Sequence, residues 1–253
     1  MTRNQHAATL AQFSPQADAY VTSAVHAAGP DLDWMADAIG SGAGEVLDLG
    51  CGGGHVAYRI APLVGTLTAC DLSVEMLAAV TAEAARRGLS NIVTAQAPAE
   101  ALPFADGRFD LVACRFSAHH WADLAQGLRE AARVLRPGGR LVLVDGCSPG
   151  TPAWDTHLQA VEVLRDPSHV RDYGVAQWAA ALTAAGLLPE TIATHQVRMD
   201  FPVWIARMRT PPEAEAAIRY LQAKLPDDAR RHFAVEADGS FQLDTIWVTA
   251  GKP

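Results

Sequence analysis

The chain has 253 residues, of which 49% are hydrophobic and 19% are charged, and its formal net charge is −8. This length is enough for one large domain, or for a domain with a cap, around a sizeable core. A nucleic-acid substrate is disfavoured, because neutralising many phosphates requires clustered Lys and Arg and the sequence has no such run. No apolar run approaches the roughly 20 residues of a transmembrane helix, and the N-terminus lacks a signal-peptide core. We therefore expect a soluble, cytoplasmic protein with no membrane insertion.

The first 40 residues are predicted to be helical and to form an N-terminal lid. Ser14-Pro15 is typical of a helix start, and Gly29-Pro30 of a helix end. Residues Asp33–Ile39 fit a second short helix, because apolar residues recur there at i, i+4.

Strands and helices alternate over residues 41–150, which we predict to be the core. The strands are short, apolar and rich in Val and Leu, as expected for a sheet that helices cover on both faces. Ser73 and Asp123 are predicted N-caps of two of the helices. This alternation predicts an α/β fold with a doubly wound parallel sheet. Five strands are predicted, at residues 45–50, 66–71, 91–96, 108–114 and 140–146.

Residues 151–253 are predicted to complete the sheet and to add a helical substrate cap, so that the whole chain is one compact domain. Two further strands are expected, at residues 187–201 and 241–250. The TPPE sequence at 210–213 is typical of a capping box with Pro at the first helical position. Helices between the last two strands would form the cap over the sheet edge.

The cysteines give no sign of a metal or disulfide site. None of the four forms a C-x-x-C pair, and a reducing cytosol would keep them as thiols. All of them come at or just after predicted strand ends, so a thiol site for a soft metal is one interpretation. We favour the other, in which small residues pack beside a ligand, because no pair has ligand spacing. The four are Cys51, Cys70, Cys114 and Cys147.

A glycine-rich loop, VLDLGCGGGH, follows the first predicted strand and begins a helix. Backbone N–H groups at such a loop can approach a ligand closely. A dinucleotide fingerprint, G-x-G-x-x-G/A, fails here because its last position falls on His55. A D-x-G-x-G-x-G pattern fits instead, and it suits an amino-acid-like tail whose ammonium group an acid helps to hold. Its members are Asp48, Gly50, Gly52 and Gly54.

Asp71 ends the second predicted strand. A carboxylate at this place can accept hydrogen bonds from both ribose hydroxyls of a nucleoside. Nicotinamide cofactors are held in the same way, so Asp71 alone does not distinguish between cofactors, whereas the glycine spacing does.

Four segments in chain order resemble class I S-adenosylmethionine-dependent methyltransferases: VLDLGCGGG, ACDLSVEML, AEALPFADGRFDLV and REAARVLRPGGRLVLVD. They cover about residues 44–146, and the nearest group is that of the ubiquinone/menaquinone biosynthesis C-methyltransferases (methyltransferase type 11). LRDPSHVRDYGVAQW further resembles a subgroup of bacterial methyltransferases. The resemblance implies a Rossmann-like, seven-stranded sheet with an antiparallel last strand. It also implies S-adenosyl-L-methionine as the cofactor.

The resemblance assigns cofactor-binding roles. Asp48 and the three glycines of the pattern would hold the methionine part, and Asp71 the ribose. Leu72 would pack on the adenine, and Ala99 and Glu100 would border its edge. Arg115 would lie beside the sulfonium through its backbone.

Two features of the sequence leave the cofactor prediction open in part. Pro98 stands where family members often have an Asp that binds the adenine amine, so adenine recognition is expected either to be weaker or to rely on backbone groups of neighbouring residues. Phe13, Tyr20 and His26 either pack in the core or close over the cofactor, with Tyr20 near its carboxylate.

The acceptor side is predicted around CRFSAHHWAD, after the fourth strand. His119, His120 and Trp121 would lie near the reacting methyl group, with His120 facing inward either as a general base or as a wall. Neighbouring histidines alone do not make a coordination shell, so no metal is expected. His169 and Arg171 are either a plain connection or face the pocket.

The predicted function is methyl transfer from S-adenosyl-L-methionine to O, N or C of a small molecule. Amino-methyltransferases of nucleic acids carry N-P-P-Y or D-P-P-Y/F where this chain has RFSA, which again favours a small-molecule acceptor. The alternatives are a protein that binds the cofactor without methyl transfer and a nicotinamide-dependent oxidoreductase. The sequence does not indicate an oligomeric state.

Overall fold

A computed structural model describes residues 4–21 and 29–253. His26 and residues 22–28 of the helix predicted to start at Ser14-Pro15 lie outside this part of the chain. No described helix is long and apolar enough to span a membrane. The helices are α1 (Gln5–Phe13), α2 (Ala17–Val21), α3 (Pro30–Ile39), α4 (His55–Ile60), α5 (Val74–Arg86), α6 (Leu124–Val134), α7 (Pro152–Arg165), α8 (Val175–Ala184), α9 (Phe201–Met208), α10 (Pro212–Ala223) and α11 (Asp227–His232).

The strands form a sheet in the order β3-β2-β1-β4-β5-β8-β7. Strands β1 to β5 run parallel, β8 pairs antiparallel with β5, and β7 pairs antiparallel with β8. This confirms the predicted α/β sheet and its antiparallel end. The strands are β1 (Glu45–Leu49), β2 (Thr66–Asp71), β3 (Ile92–Gln96), β4 (Phe109–Arg115), β5 (Leu135–Ser148), β6 (Tyr173–Gly174), β7 (Leu188–Met199) and β8 (Phe241–Gly251).

The two-residue strand β6 was not predicted. It pairs parallel with the end of β5, where Cys147 lies opposite Tyr173. This short pairing brings the loop before β6 against the carboxyl end of β5, at the same edge as the loops after β1 to β4.

Apolar residues bury both faces of the sheet. One cluster joins α3, α4 and α5 to one face, and the other joins α6 and α8 to the opposite face. The predicted caps hold, because Ser73 Oγ accepts from Met76 N at 3.2 Å and Asp123 Oδ1 accepts from Gln126 N at 3.0 Å. A third, smaller cluster holds α7, α9 and α10 together around Trp204.

Four local predictions are wrong. Helix α1 begins at Gln5, capped by Asn4, and Ser14-Pro15 forms a 3₁₀ turn before α2. Helix α3 begins at Pro30 rather than at the predicted Asp33, and Pro suits the first position of a helix because of its fixed φ. Strand β5 begins at Leu135, opposite Phe109, rather than at the predicted residue 140.

The fourth error concerns the predicted capping box. Helix α10 has Pro211 as its N-cap and no side-chain cap. The Thr210 hydroxyl instead donates to the Arg165 carbonyl at 3.2 Å. This bond joins the segment before α10 to the end of α7.

Candidate active site

A cavity of about 320 Å³ opens at the carboxyl ends of the parallel strands. Open α/β sheets bind ligands at this edge. The loops after β1, β2 and β3 form one side of the cavity. The turn after β4 and residues of α1, α7, α9, β7 and β8 form the other. We call the first side the cofactor half and the second the acceptor half.

The glycine loop forms the floor of the cofactor half. Gly50 and Gly52 have φ values of +72° and +48° and line the cavity. A Cβ on Gly50 would lie 1.8 Å from Ser117 Oγ, so Gly50 lets the loop pack against the turn after β4. A Cβ on Gly52 would meet no atom within 4 Å and would project into open space. The backbone at Gly52 is therefore free to approach a ligand closely.

Gly54 does not line the cavity. It is the N-cap of α4, and a Cβ there would come within 2.8 Å of the Tyr58 ring and hydroxyl. Its place in the pattern is explained by the packing of α4 rather than by ligand contact.

Two carboxylates stand beside the loop, Asp48 buried and Asp71 half-buried. Asp71 accepts hydrogen bonds from Gly52 N and Ser73 N, both at 2.9 Å, and burial raises its pKa. Asp48 is 1% exposed and accepts from Ala57 N at 3.1 Å. Burial raises the pKa of Asp48 to about 7. Both residues line the cavity, so an ammonium group and ribose hydroxyls would find acceptors here.

Residues predicted to contact adenine border the same half. Leu72, Pro98, Ala99 and Glu100 all line the cavity. Glu100 Oε2 pairs with His6 Nε2 of α1 at 3.2 Å, and its Oε1 accepts from Asp123 N at 3.2 Å. Glu100 therefore connects the loop after β3 to α1.

Arg115 and Tyr20 also line the cavity. The Arg115 guanidinium forms an ion pair with Asp31 of α3, and both side chains are largely buried. The Tyr20 hydroxyl donates to Met208 Sδ of α9 at 3.4 Å. Tyr20 thus joins the N-terminal helices to α9 across the cavity mouth.

Both histidines of the turn after β4 line the cavity, although only one was expected to do so. His119 Nδ1 hydrogen-bonds Asp145 Oδ1 at the end of β5. Burial lowers the pKa of His119, but the charge and hydrogen bond of Asp145 outweigh burial and raise it to about 9. Burial and the neighbouring His119 lower the pKa of His120 to about 4. The ring of His120 packs edge-on against Phe13, 4.9 Å between centroids.

Trp121 follows the histidines and lines the cavity. Its Nε1 donates to Ser117 Oγ at 3.3 Å, and its ring fills the space above Gly127, where a Cβ would lie 2.4 Å from it. The indole is therefore held rigidly at the wall.

The structure places His169 and Arg171 off the cavity lining. His169 Nε2 hydrogen-bonds Gln159 Oε1 at 3.0 Å, and Arg171 pairs with Asp155 at 2.6 Å. Their neighbours Asp166 and Asp172 reach the cavity instead. The sequence therefore indicated the correct loop, but the side chains proposed from it are not the ones that reach the cavity.

Several residues at the cavity or in contact with its lining escaped prediction. Asp145 stands at the end of a correctly predicted strand, so a carboxylate at that strand end was a usable signal. Asp172 was treated only as the residue before a helix. The α9 residues carry no motif, since their position depends on how the cap folds over the sheet. The α9 residues at the cavity are Trp204, Arg207 and Met208.

Comparisons with known proteins agree with this geometry. A family model described as a methyltransferase domain matches residues 47–143. The chain is 36% identical over 224 residues to the uncharacterized methyltransferase YcgJ of Bacillus subtilis (strain 168), over 88% of each chain. The chain belongs to the S-adenosylmethionine-dependent methyltransferases. It is of the type that includes the ubiquinone/menaquinone biosynthesis C-methyltransferases.

Further relatives extend the likeness beyond the family segment. The crystal structure of YcgJ superposes with a TM-score of 0.85 at 34% identity, over 88% of this chain and 98% of that one. Uncharacterized protein YafE of Escherichia coli (strain K12) is 45% identical over 199 residues, 79% of this chain and 96% of YafE. The 27-O-demethylrifamycin SV methyltransferase of Amycolatopsis mediterranei (strain S699) is 32% identical over 220 residues, 83% of this chain and 77% of that one.

The methyltransferase is thus an enzyme whose cofactor is S-adenosyl-L-methionine. The cavity fits that cofactor, because Gly52 leaves open space and the carboxylates of Asp48 and Asp71 provide acceptors at the ends of β1 and β2. Nothing in the comparisons favours a nicotinamide cofactor or cofactor binding without methyl transfer.

Proposed function

We propose that the enzyme methylates a small, largely apolar molecule that is held between the turn after β4 and helix α9. The observation that carries this proposal is the composition of the acceptor half. Its wall combines apolar side chains from four separate elements with charged groups from the turn after β4, α7 and α9, and apolar walls with placed polar groups are usual for small-molecule sites. The apolar members are Leu10, Phe13, Met199, Trp204, Met208 and Leu243.

Bound S-adenosyl-L-methionine supplies the activated methyl group. The protein's own task is then to align the acceptor atom and to exclude water. The rigid Trp121 and the buried Phe13–His120 contact serve alignment by fixing one wall. The roles of His119 and His120 as catalytic residues, and of Trp121 in acceptor binding, remain predictions.

Helix α1 is proposed to act as the lid and residues 151–253 as the acceptor cap. Three hydrogen bonds join α1 across the cavity: His6 to Glu100, Gln5 Nε2 to Ser168 O at 2.6 Å, and Gln12 Nε2 to Met208 O at 3.1 Å. The partners of α1 lie in three places: the loop after β3, the loop after α7, and helix α9. The lid therefore closes over both halves of the cavity together. An acceptor small enough to be enclosed is therefore favoured over a polymer.

Two guanidinium groups give the acceptor half a positive end. Arg165 donates to the Trp204 carbonyl at 3.0 Å and pairs with Glu162 at 3.2 Å. Burial, and then the charge of Arg165, lower the pKa of Arg207 to about 10. A polar oxygen on the acceptor would be stabilised there. The name of the rifamycin relative also specifies transfer to an oxygen, so we propose an oxygen as the methylated atom.

The test is transfer of a labelled methyl group to a metabolite extract. Purified enzyme, methyl-labelled cofactor and a bacterial small-molecule extract should give a labelled product heavier by one methyl group. The variant Asp71→Ala should give none. If the wild type binds the cofactor but labels only macromolecules, or labels nothing, the proposal of a small-molecule acceptor is overturned.

A further inference from the structure

Three metal-ligating side chains from separate segments meet at the acceptor half. His119 comes from the turn after β4, Asp145 from β5, and Asp172 from the loop before β6. One ligand atom from each lies within 4.8 Å of the other two. No sequence motif predicts this group, because the fold rather than local spacing brings the residues together.

Asp172 is buried without full hydrogen bonding. It is 3% exposed, and its Oδ2 has no hydrogen-bond partner among residues 4–21 and 29–253. The base nearest to this oxygen, His169 Nε2, lies at 3.9 Å and is already 3.0 Å from Gln159 Oε1. A buried carboxylate oxygen left unpaired costs free energy, so a site that retains one calls for a further partner.

The Asp172 carboxylate lies in space that is open only because residue 146 is a glycine. A Cβ at Gly146 would lie 2.1 Å from Asp172 Oδ1, so only glycine at the end of β5 allows the carboxylate to approach Asp145. Both Gly146 and Asp172 line the cavity. The unpaired oxygen is thus beside the space where the acceptor is proposed to bind.

The other carboxylates around Asp172 already have partners. Four carboxylates are buried here: Asp145, Glu162, Asp166 and Asp172. Arg165 pairs with Glu162, and Asp166 Oδ1 accepts from Ser168 N and Ser168 Oγ. Asp145 accepts from Ala118 N and Gly146 N and pairs with the His119 ring, so Asp172 is the member of the group that carries an unpaired oxygen.

We propose that His119, Asp145 and Asp172 bind a divalent transition-metal cation. One imidazole nitrogen and two carboxylate oxygens suit Mn²⁺, Co²⁺ or Zn²⁺ better than Mg²⁺, which takes oxygen ligands almost alone. Three protein ligands leave coordination positions open, as in catalytic metal sites. This inference rests on the proposed function and deepens it, because the open positions would select an acceptor that presents an oxygen.

The experiment is a titration of the chelator-treated, full-length protein with Co²⁺ alone, followed by visible absorption and calorimetry. The wild type should bind one Co²⁺ per chain with the absorption of a nitrogen–oxygen site. Asp172→Asn, which keeps the shape of the side chain, should weaken binding at least about 100-fold, and His119→Asn should do the same. Unfolding curves confirm that each variant is folded.

Asp244→Asn is the matched control. Asp244 pairs with His232 at 2.7 Å, a second His–Asp contact that lies off the cavity lining. This variant should bind Co²⁺ as the wild type does. The proposal is overturned if the wild type binds no stoichiometric Co²⁺, or if Asp172→Asn binds it equally well. Binding of S-adenosyl-L-methionine is measured in the same samples. A wild type that binds no S-adenosyl-L-methionine would count against the proposed function rather than against the metal site.

Discussion

The two halves of the cavity are built in different ways. The cofactor half consists of backbone and short loops that directly follow β1, β2 and β3, and its two carboxylates are tied to nearby N–H groups. The acceptor half is assembled from α1, the turn after β4, α7, the loop before β6 and α9, and it contains most of the buried charged groups. Preorganised backbone suits one cofactor that never varies, whereas distant side chains can be exchanged to suit different acceptors.

The largest expected effect tests the cofactor half at the ribose. Asp71→Ala should weaken S-adenosyl-L-methionine binding by about 100-fold or more, since two hydrogen bonds to a charged group are lost at about 1.5–3 kcal/mol each. Calorimetry measures the affinity. Asp33→Asn, an exposed acid of α3 paired with Arg59, is the control and should bind normally. An unchanged affinity in Asp71→Ala would contradict the assigned ribose site.

A second test separates backbone strain from ligand contact. Gly52→Ala places a methyl group in the cavity and should weaken cofactor binding by roughly tenfold beyond any loss of stability. Gly88→Ala is the matched control, because Gly88 has φ +72° and also meets nothing within 4 Å, but it ends α5 away from the cavity. Both variants should lose about 1 kcal/mol of stability, and only Gly52→Ala should lose affinity. If Gly52→Ala and Gly88→Ala bound the cofactor equally well, the glycine loop would not be part of the cofactor site.

The pH dependence of binding tests Asp48. Its pKa of about 7 means that it becomes neutral as pH falls below 7, and a neutral carboxyl no longer attracts an ammonium group. Affinity should therefore fall below pH 7, by at most about tenfold per pH unit for a single group. Calorimetry between pH 8 and pH 5.5 measures this trend. Asp48→Asn should bind more weakly and show a flatter profile, and a wild-type profile that is already flat would contradict the assignment.

The smallest expected effect concerns the connection between the halves. His6→Gln removes the ion pair with Glu100, which is partly exposed. Such pairs contribute about 0–1 kcal/mol, so cofactor affinity should change by no more than about fivefold. Stopped-flow measurement of cofactor release should show the change mainly in the dissociation rate. A large loss of affinity would mean that α1 is part of the cofactor site rather than a lid.

The same contrast explains how far the sequence could predict the structure. Asp48, Gly52 and Asp71 lie in contiguous motifs whose conformation is decided within a few residues, so their positions followed from the pattern. Asp172 reaches the cavity only because β6 pairs with β5 and Gly146 leaves room for it. These are long-range contacts that no local pattern contains.

Errors at helix ends have a related physical cause. Ser14-Pro15 was interpreted as a helix start from the preference of Pro for the first turn of a helix, but Pro also fits the first turn of the 3₁₀ helix that these residues form. Thr210 had a suitable sequence for a cap, yet its hydroxyl donates to the Arg165 carbonyl at the end of α7. At Thr210 a tertiary contact decided between local alternatives.

A crystal structure with S-adenosylhomocysteine bound tests the central claim most directly, because it locates both halves at once. The account predicts that Asp71 accepts hydrogen bonds from the ribose, that the homocysteine tail passes over Gly52 beside Asp48, and that the sulfur faces the turn bearing His119 and His120. A nucleoside bound away from Asp71, or a sulfur facing away from that turn, would contradict the division of the cavity into a cofactor half and an acceptor half.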